Sequence, residues 1–158
     1  MKILIAYYSR TGTTKKVAEI IAEKIGAEVE EIRDTVDRSG AKGYLISGRD
    51  AMKKSLTKLE PLRLDPAEYE LVIVGTPVWA WNMSVPVRTY LTENKDKFKK
   101  TAFFCTMGGS GDEKTFAGMG EIIGQKPAGN LALKTREVAE NNFEKQAEEF
   151  VDKLRRGV

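Results

Sequence analysis

The sequence predicts an α/β fold, a three-layer, doubly wound sandwich with a five-stranded parallel sheet between two helical faces. Three observations predict it. Short apolar runs alternate with amphipathic stretches along the chain, and the runs at residues 2–8, 71–75 and 102–106 are apolar almost throughout. No repeat, low-complexity tract or linker interrupts that alternation. Strands apolar on both faces belong to parallel sheets covered on both sides, and right-handed crossovers wind such a sheet into a doubly wound sandwich. At 158 residues the chain suits one domain, residues 1–158.

Each element has its own signal. Residues 2–8 form the first strand. Residues 12–25 place Val17, Ala18, Ile21, Ala22 and Ile25 at helical spacing, and Gly26 suits the helix C-terminus. Residues 28–33 alternate as a short strand. The long segment 34–69 holds a basic helix over residues 44–59, whose Tyr44, Ile46, Met52, Leu56 and Leu59 are expected to cover the sheet, the alternative being part of a partner surface. After the strand at 71–75, Ser84 caps a helix over 85–94 with Pro86 in its tolerant first turn. The apolar run 102–106 leads into the loop MGGSGDEK and a helix over 115–123. Residues 130–135 form the last strand. Phe143, Ala147, Phe150, Val151 and Leu154 stripe the closing helix, and Lys153, Arg155 and Arg156 complement its dipole.

Composition excludes several functions. The chain has no histidine and one cysteine, Cys105, so it lacks the commonest general base and zinc ligand, and no thiolate cluster forms. A metal site is not expected, and Cys105, within the run AFFC, is expected to pack in the core. The 26 cationic and 23 anionic side chains leave a net +3, too small and dispersed an excess to call for nucleic acid. No run approaches the roughly 20 apolar residues of a membrane helix. The start, MKILIAYYSRTG, is too short for a signal peptide. The expected compartment is the cytoplasm, with no membrane partner.

In an open parallel sheet, ligands bind beyond the carboxyl ends of the strands, where strand order reverses. Three loops stand there: SRTGTT, TPVWAWNM and TMGGSG. Ser9, Thr11, Thr13 and Thr14 offer four hydroxyls, and Arg10 and Gly12 add backbone amides at a helix start, an anion seat. No stretch matches a Walker loop, and the first strand ends without GxGxxG. A receiver domain needs acidic residues where Tyr8 and Ser9 stand, and a low-molecular-weight phosphatase needs an arginine where Gly111 follows Cys105 by six.

SRTGTT resembles the flavodoxin phosphate signature [T/S]-x-T-G-x-T in every defining position, and the two further loops stand where flavodoxin-like proteins hold the isoalloxazine ring. The resemblance spans the chain. It implies strand order 2-1-3-4-5, noncovalent FMN and electron transfer between redox partner proteins. It also implies that Ser9, Arg10, Thr11, Gly12, Thr13 and Thr14 hold the phosphate. Pro77, Val78, Trp79, Ala80, Trp81, Asn82 and Met83, with Thr106, Met107, Gly108, Gly109, Ser110 and Gly111, hold the ring. Aromatic stacking suits a flat flavin, with one tryptophan on the ring and the other packed or exposed. No side chain is expected to act as a covalent or acid-base catalyst.

The chain differs from acidic flavodoxins in being basic, which predicts higher flavin potentials and an acidic-surfaced partner. Residues 78–83 contain no glycine, so positive φ is costlier there and a long-lived one-electron-reduced flavin is not expected. The strings GTP and NMS around the tryptophans are similar to multimeric flavodoxin-like NAD(P)H:quinone oxidoreductases. That resemblance implies an alternative, an FMN-dependent NAD(P)H:quinone or flavin reductase, although such enzymes typically keep a histidine near the flavin. A monomer or homodimer is expected.

Overall fold

Ile3, Leu4, Ile5, Ala6 and Tyr7 are all buried, with successive side chains entering opposite layers of the molecule. That burial on both faces makes β1 (Ile3–Tyr7) a central strand. The computed structural model describes residues 1–157. In chain order, β1 is followed by α1 (Thr13–Ile25), β2 (Glu28–Glu31), α2 (Gly40–Met52) and β3 (Leu71–Trp79). Then come β4 (Asn82–Met83), α3 (Val85–Asn94), β5 (Thr101–Met107), α4 (Asp112–Ile123), β6 (Asn130–Lys134), α5 (Thr135–Ala139) and α6 (Glu144–Arg156).

The five long strands run β2-β1-β3-β5-β6, each pairing parallel with its neighbour. This is the predicted order, and it reverses direction between β1 and β3. The two-residue β4 lies off this path and pairs antiparallel with β3. One core cluster joins Ile3, Ile5 and Phe104 to Val17 and Ile21 of α1 and Phe150 and Leu154 of α6. The other joins Leu4, Val72, Val74 and Phe103 to Tyr90 and Leu91 of α3 and Met119 of α4. Within β3, a Cβ on Gly75 would lie 2.0 Å from the Phe104 ring, so glycine alone fits there.

Gly26 ends α1 at φ 75°, and Ser84 caps α3 by accepting from the Val87 amide, both as predicted. Cys105 is fully buried in β5, and burial pushes its thiol up to about 12.

The basic helix is the main correction. It occupies Gly40–Met52 rather than 44–59, and the chain beyond it forms an irregular arm bridged by Asp34 and Leu59. Its inward residues are Gly43, Ser47 and Ala51, four apart and small. A Cβ on Gly43 would fall 2.1 Å from the Arg38 backbone. That close approach leaves Tyr44 and Met52, expected on the sheet, exposed on a cleft wall, and Leu56 is exposed in the arm.

Three smaller differences concern element bounds. β3 continues past Gly75 because Thr76 and Pro77 still pair with Cys105 and Thr106. α4 begins at Asp112 instead of 115, and the polar stretch after β6 forms α5, whose Val138 is buried.

Candidate functional site

The carboxyl ends of β1, β3 and β5 open onto one side of the molecule. α1 starts beyond β1 at Gly12, which holds φ 98° and provides no side-chain cap. The first-turn amides therefore face outward on a positive dipole end, without an acidic residue in that turn. Ser9 Oγ accepts from the Gly12 amide at 3.1 Å and folds the loop back. Thr11 and Gly12 are exposed, and no atom would crowd a Cβ on Gly12. Thr14 differs from the other hydroxyls. It is buried, and its Oγ1 lies 2.9 Å from Thr106 Oγ1, tying the first loop to β5. The free hydroxyl set is thus Ser9, Thr11 and Thr13, with Thr14 as an internal tie.

The tryptophan loop is a tight hairpin. Val78 pairs with Met83 and Trp79 with Asn82, leaving Ala80 and Trp81 as a two-residue turn. Both turn residues have positive φ, 48° and 61°, the backbone of the turn that matches the natural strand twist. Asn or Gly ordinarily fills such positions. The expected obstacle to positive φ has therefore been overcome without glycine. Asn82 Nδ2 donates to Ala80 O at 2.8 Å across the turn, and the Ser84 amide donates to Thr76 Oγ1 at 2.9 Å below it.

The two tryptophans divide roles. Trp79 is half-buried, with the Tyr8 ring perpendicular to it at 5.4 Å and the Arg38 guanidinium 5.4 Å from its centroid. Trp81 stands exposed at the turn. Burial, with the Asp34 carboxylate adding to it, pushes the Tyr8 phenol up to about 12.

Glycine-rich loop and hairpin meet at Gly111. It holds φ 107°, and a Cβ there would come within 2.8 Å of Val78 Cγ1 and 3.2 Å of Trp81 Cδ1. Gly108 and Gly109 are exposed with open space above them. Together Val78, Trp79, Ala80 and Trp81 face Gly108, Gly109 and Ser110 across a cleft of about 670 Å³, whose far wall is α2. Asn82, Met83, Thr106 and Met107 are buried and Pro77 is half-buried, and none of these five expected ring-holding residues lines the cleft. Ser9 to Thr14 do not line the cleft but sit beside it at the end of β1, where Tyr7 pairs with Gly75.

Arg38 and Asp34, which sequence reasoning missed, support the candidate site from behind Trp79. Both side chains are 3% exposed and pair at 2.9 Å, and Ser47 of α2 accepts from Arg38 at 3.2 Å. Arg10 donates to Arg38 O at 3.0 Å and lies over the Tyr44 ring at 5.5 Å, linking the first loop to α2. The four-residue spacing of Asp34 and Arg38 was the available signal, but in a polar stretch it read as solvated surface. Among the described residues no cluster of metal-ligating side chains occurs, and no helix is long and apolar enough to cross a membrane.

The arrangement suits a ligand with an anionic end and a flat apolar end. An uncapped helix start, hydroxyls and an open glycine meet the first need, and an aromatic wall facing bare glycine backbone meets the second.

Comparison with known proteins agrees. The flavodoxin family model matches residues 2–150. A flavoprotein from Lactobacillus acidophilus NCFM, solved in complex with FMN, is 27% identical with a TM-score of 0.73, over 88% of this chain and 97% of its own. A flavoprotein from Bacteroides eggerthii superposes with a TM-score of 0.78 at 22% identity, over 97% of each chain. The flavodoxin of Streptococcus pneumonia TIGR4 has a TM-score of 0.64 at 18% identity, over 100% of each. The last two likenesses concern the fold alone. No curated protein matches the chain.

Proposed function

Because this chain belongs to the flavodoxin family, we propose that it binds FMN noncovalently and carries electrons between redox partner proteins. The observation that carries the reading is the meeting of the Trp79 hairpin and the Gly108–Gly109 backbone across one cleft, beside an uncapped helix start. The FMN-bound Lactobacillus relative supports the choice of ligand.

Bound FMN supplies the redox chemistry, accepting and releasing one or two electrons. The protein's residues do the holding. Ser9, Thr11 and Thr13, with the first-turn amides of α1, bind the phosphate as hydrogen-bond donors. Trp79, held by the Arg38 guanidinium over its ring and by a T-shaped contact with Tyr8, is a preorganised stacking platform that loses little freedom on binding. Gly108 and Gly109 offer amides to polar ring atoms. Thr14 and Thr106 hold the two halves of the site in register.

A second reading, an FMN-dependent NAD(P)H:quinone or flavin reductase, draws on the far wall of the cleft. There Tyr44, Leu45 and Met52 face the hairpin with room for a flat substrate. NADH or NADPH with a quinone separates the two readings. Negligible turnover, with rapid exchange of electrons with a protein partner, supports the carrier. Fast multiple turnovers would replace it with the enzyme.

A further inference from the structure

A second cavity, of about 440 Å³, opens between α3 and α4, with Lys54 and Asn82 completing its wall. Small-molecule sites ordinarily enclose about 300–1,000 Å³. The cavity shares no lining residue with the cleft, although Lys53 and Trp81 of the cleft directly precede Lys54 and Asn82. Ala117 and Gly118 give α4 little bulk on this side, and a Cβ on Gly118 would lie 3.2 Å from Met83 Cε.

Its lining is cationic and unsatisfied. Lys54, Arg88 and Lys114 stand there against one carboxylate, Glu121. Among the described residues, none of the four forms an ion pair. Arg88 Nε is buried without a hydrogen-bond partner, and burial draws the guanidinium below its usual range, with Glu121 opposing. A buried donor on a cation is costly to leave unpaired. Arg88 and Lys114 also occupy the first turns of α3 and α4, the positive dipole ends, where a cation is disfavoured. Lys54 adds backbone strain. It follows α2 at φ 53°, its amide donating to Ala51 O and the Ser55 amide to Asp50 O, a helix closure that glycine ordinarily makes.

We infer that this cavity is a second anion site, which takes the phosphate group of a small ligand on Lys54, Arg88 and Lys114. Three cations less one carboxylate leave the lining at net +2, matched to a phosphate dianion. Arg88 supplies directed donors, its orphaned Nε–H among them, and the two lysines act as point charges. An anion there also offsets the two crowded helix starts. The site is separate from the Ser9–Thr14 loop and does not rest on the FMN reading. Free phosphate and a phosphorylated nucleotide both carry the required chemistry.

The test uses the full-length chain loaded with one equivalent of FMN and follows the Arg88 Nε–H resonance, assigned by its loss in Arg88→Lys. Inorganic phosphate, added at constant ionic strength, should shift that resonance to saturation. Lys54→Gly with Lys114→Met should weaken the phosphate affinity about tenfold, the scale of lost charged contacts. The pair should not lower the urea midpoint, because glycine relieves the left-handed φ and Lys114→Met removes a cation from a helix start. NADP⁺ and NAD⁺ separate the sources. NADP⁺ that binds tighter than NAD⁺, with the preference lost in the variant, makes a nucleotide phosphate the ligand. Equal binding of the two, with inorganic phosphate saturating, makes it free phosphate, and either result upholds the site. No saturating shift, a shift that chloride reproduces, or an affinity untouched in the variant overturns it. Chain that takes up no FMN fells the FMN reading alone, since the same titration then runs on the chain as purified.

Discussion

The Arg38 guanidinium lies 5.4 Å from the centroid of the Trp79 indole, and the same cation is bound to Asp34 at 2.9 Å with both side chains almost completely buried. Arg38 therefore supports the proposed stacking platform from behind, and Asp34 and Ser47 hold Arg38 in turn. Arg38→Ala leaves the Asp34 carboxylate buried without its cation. We expect a loss of about 3–5 kcal/mol in stability, measured by urea unfolding. Arg38→Met with Asp34→Leu should recover much of that loss, because the uncompensated charge is then gone. A single mutant as stable as the parent would contradict the account of this pair.

The hairpin turn carries backbone strain that a substitution should release. Ala80 sits at φ 48°, where a left-handed conformation costs an alanine roughly 1–2 kcal/mol and asparagine less. Ala80→Asn should raise the thermal midpoint by about 2–4 °C, the response expected of a chain this size to about 1 kcal/mol. A lowered midpoint would show that the turn is held by something other than its local geometry.

Thr11 is exposed at the start of α1, beside the uncapped amides. Thr11→Val keeps the shape and removes the hydroxyl. FMN affinity should fall at least tenfold, the scale of a lost charge-assisted hydrogen bond of about 1.5–3 kcal/mol. Riboflavin, which has no phosphate, should bind the variant and the parent equally. Equal FMN affinity would remove Thr11 from the phosphate site.

Alkaline pH should unfold the protein through its buried acids. Burial raises Cys105 from 9.0 to about 12 and Tyr8 from 10.0 to about 12. Both groups hold their protons more tightly folded than unfolded. Their contribution is fully present below pH 9 and is lost as pH climbs from 9 through 12. Urea midpoints should fall across that window, and Cys105→Ala should flatten part of the decline. Midpoints constant from pH 9 to 12 would contradict the burial assigned to these side chains.

Much of this was legible in the chain itself. The continuous apolar runs at β1, β3 and β5 announced a doubly covered parallel sheet, and Gly26 and Ser84 marked helix ends that the structure retains. The loop clustering followed from topology, since strand order alone puts SRTGTT, the tryptophans and the glycines at one end. α2 escaped because its decisive residues are small. Gly43, Ser47 and Ala51 set the packing distance, while sequence reading weighs large apolar residues as core. The Asp34–Arg38 pair escaped because charged residues four apart look the same whether solvated or buried. The turn at Ala80 and Trp81 escaped because neither residue advertises positive φ, which here is imposed by the pairing of Val78 with Met83 and Trp79 with Asn82.

The central claim, one FMN per chain stacked on Trp79, is tested most directly by titrating flavin-free protein into FMN while following flavin fluorescence. The account predicts emission quenched to a sharp end point at one equivalent, and Trp79→Ala should bind FMN more weakly with much of the emission restored. Emission unchanged at excess protein, or an end point and quenching unaltered in Trp79→Ala, would contradict it.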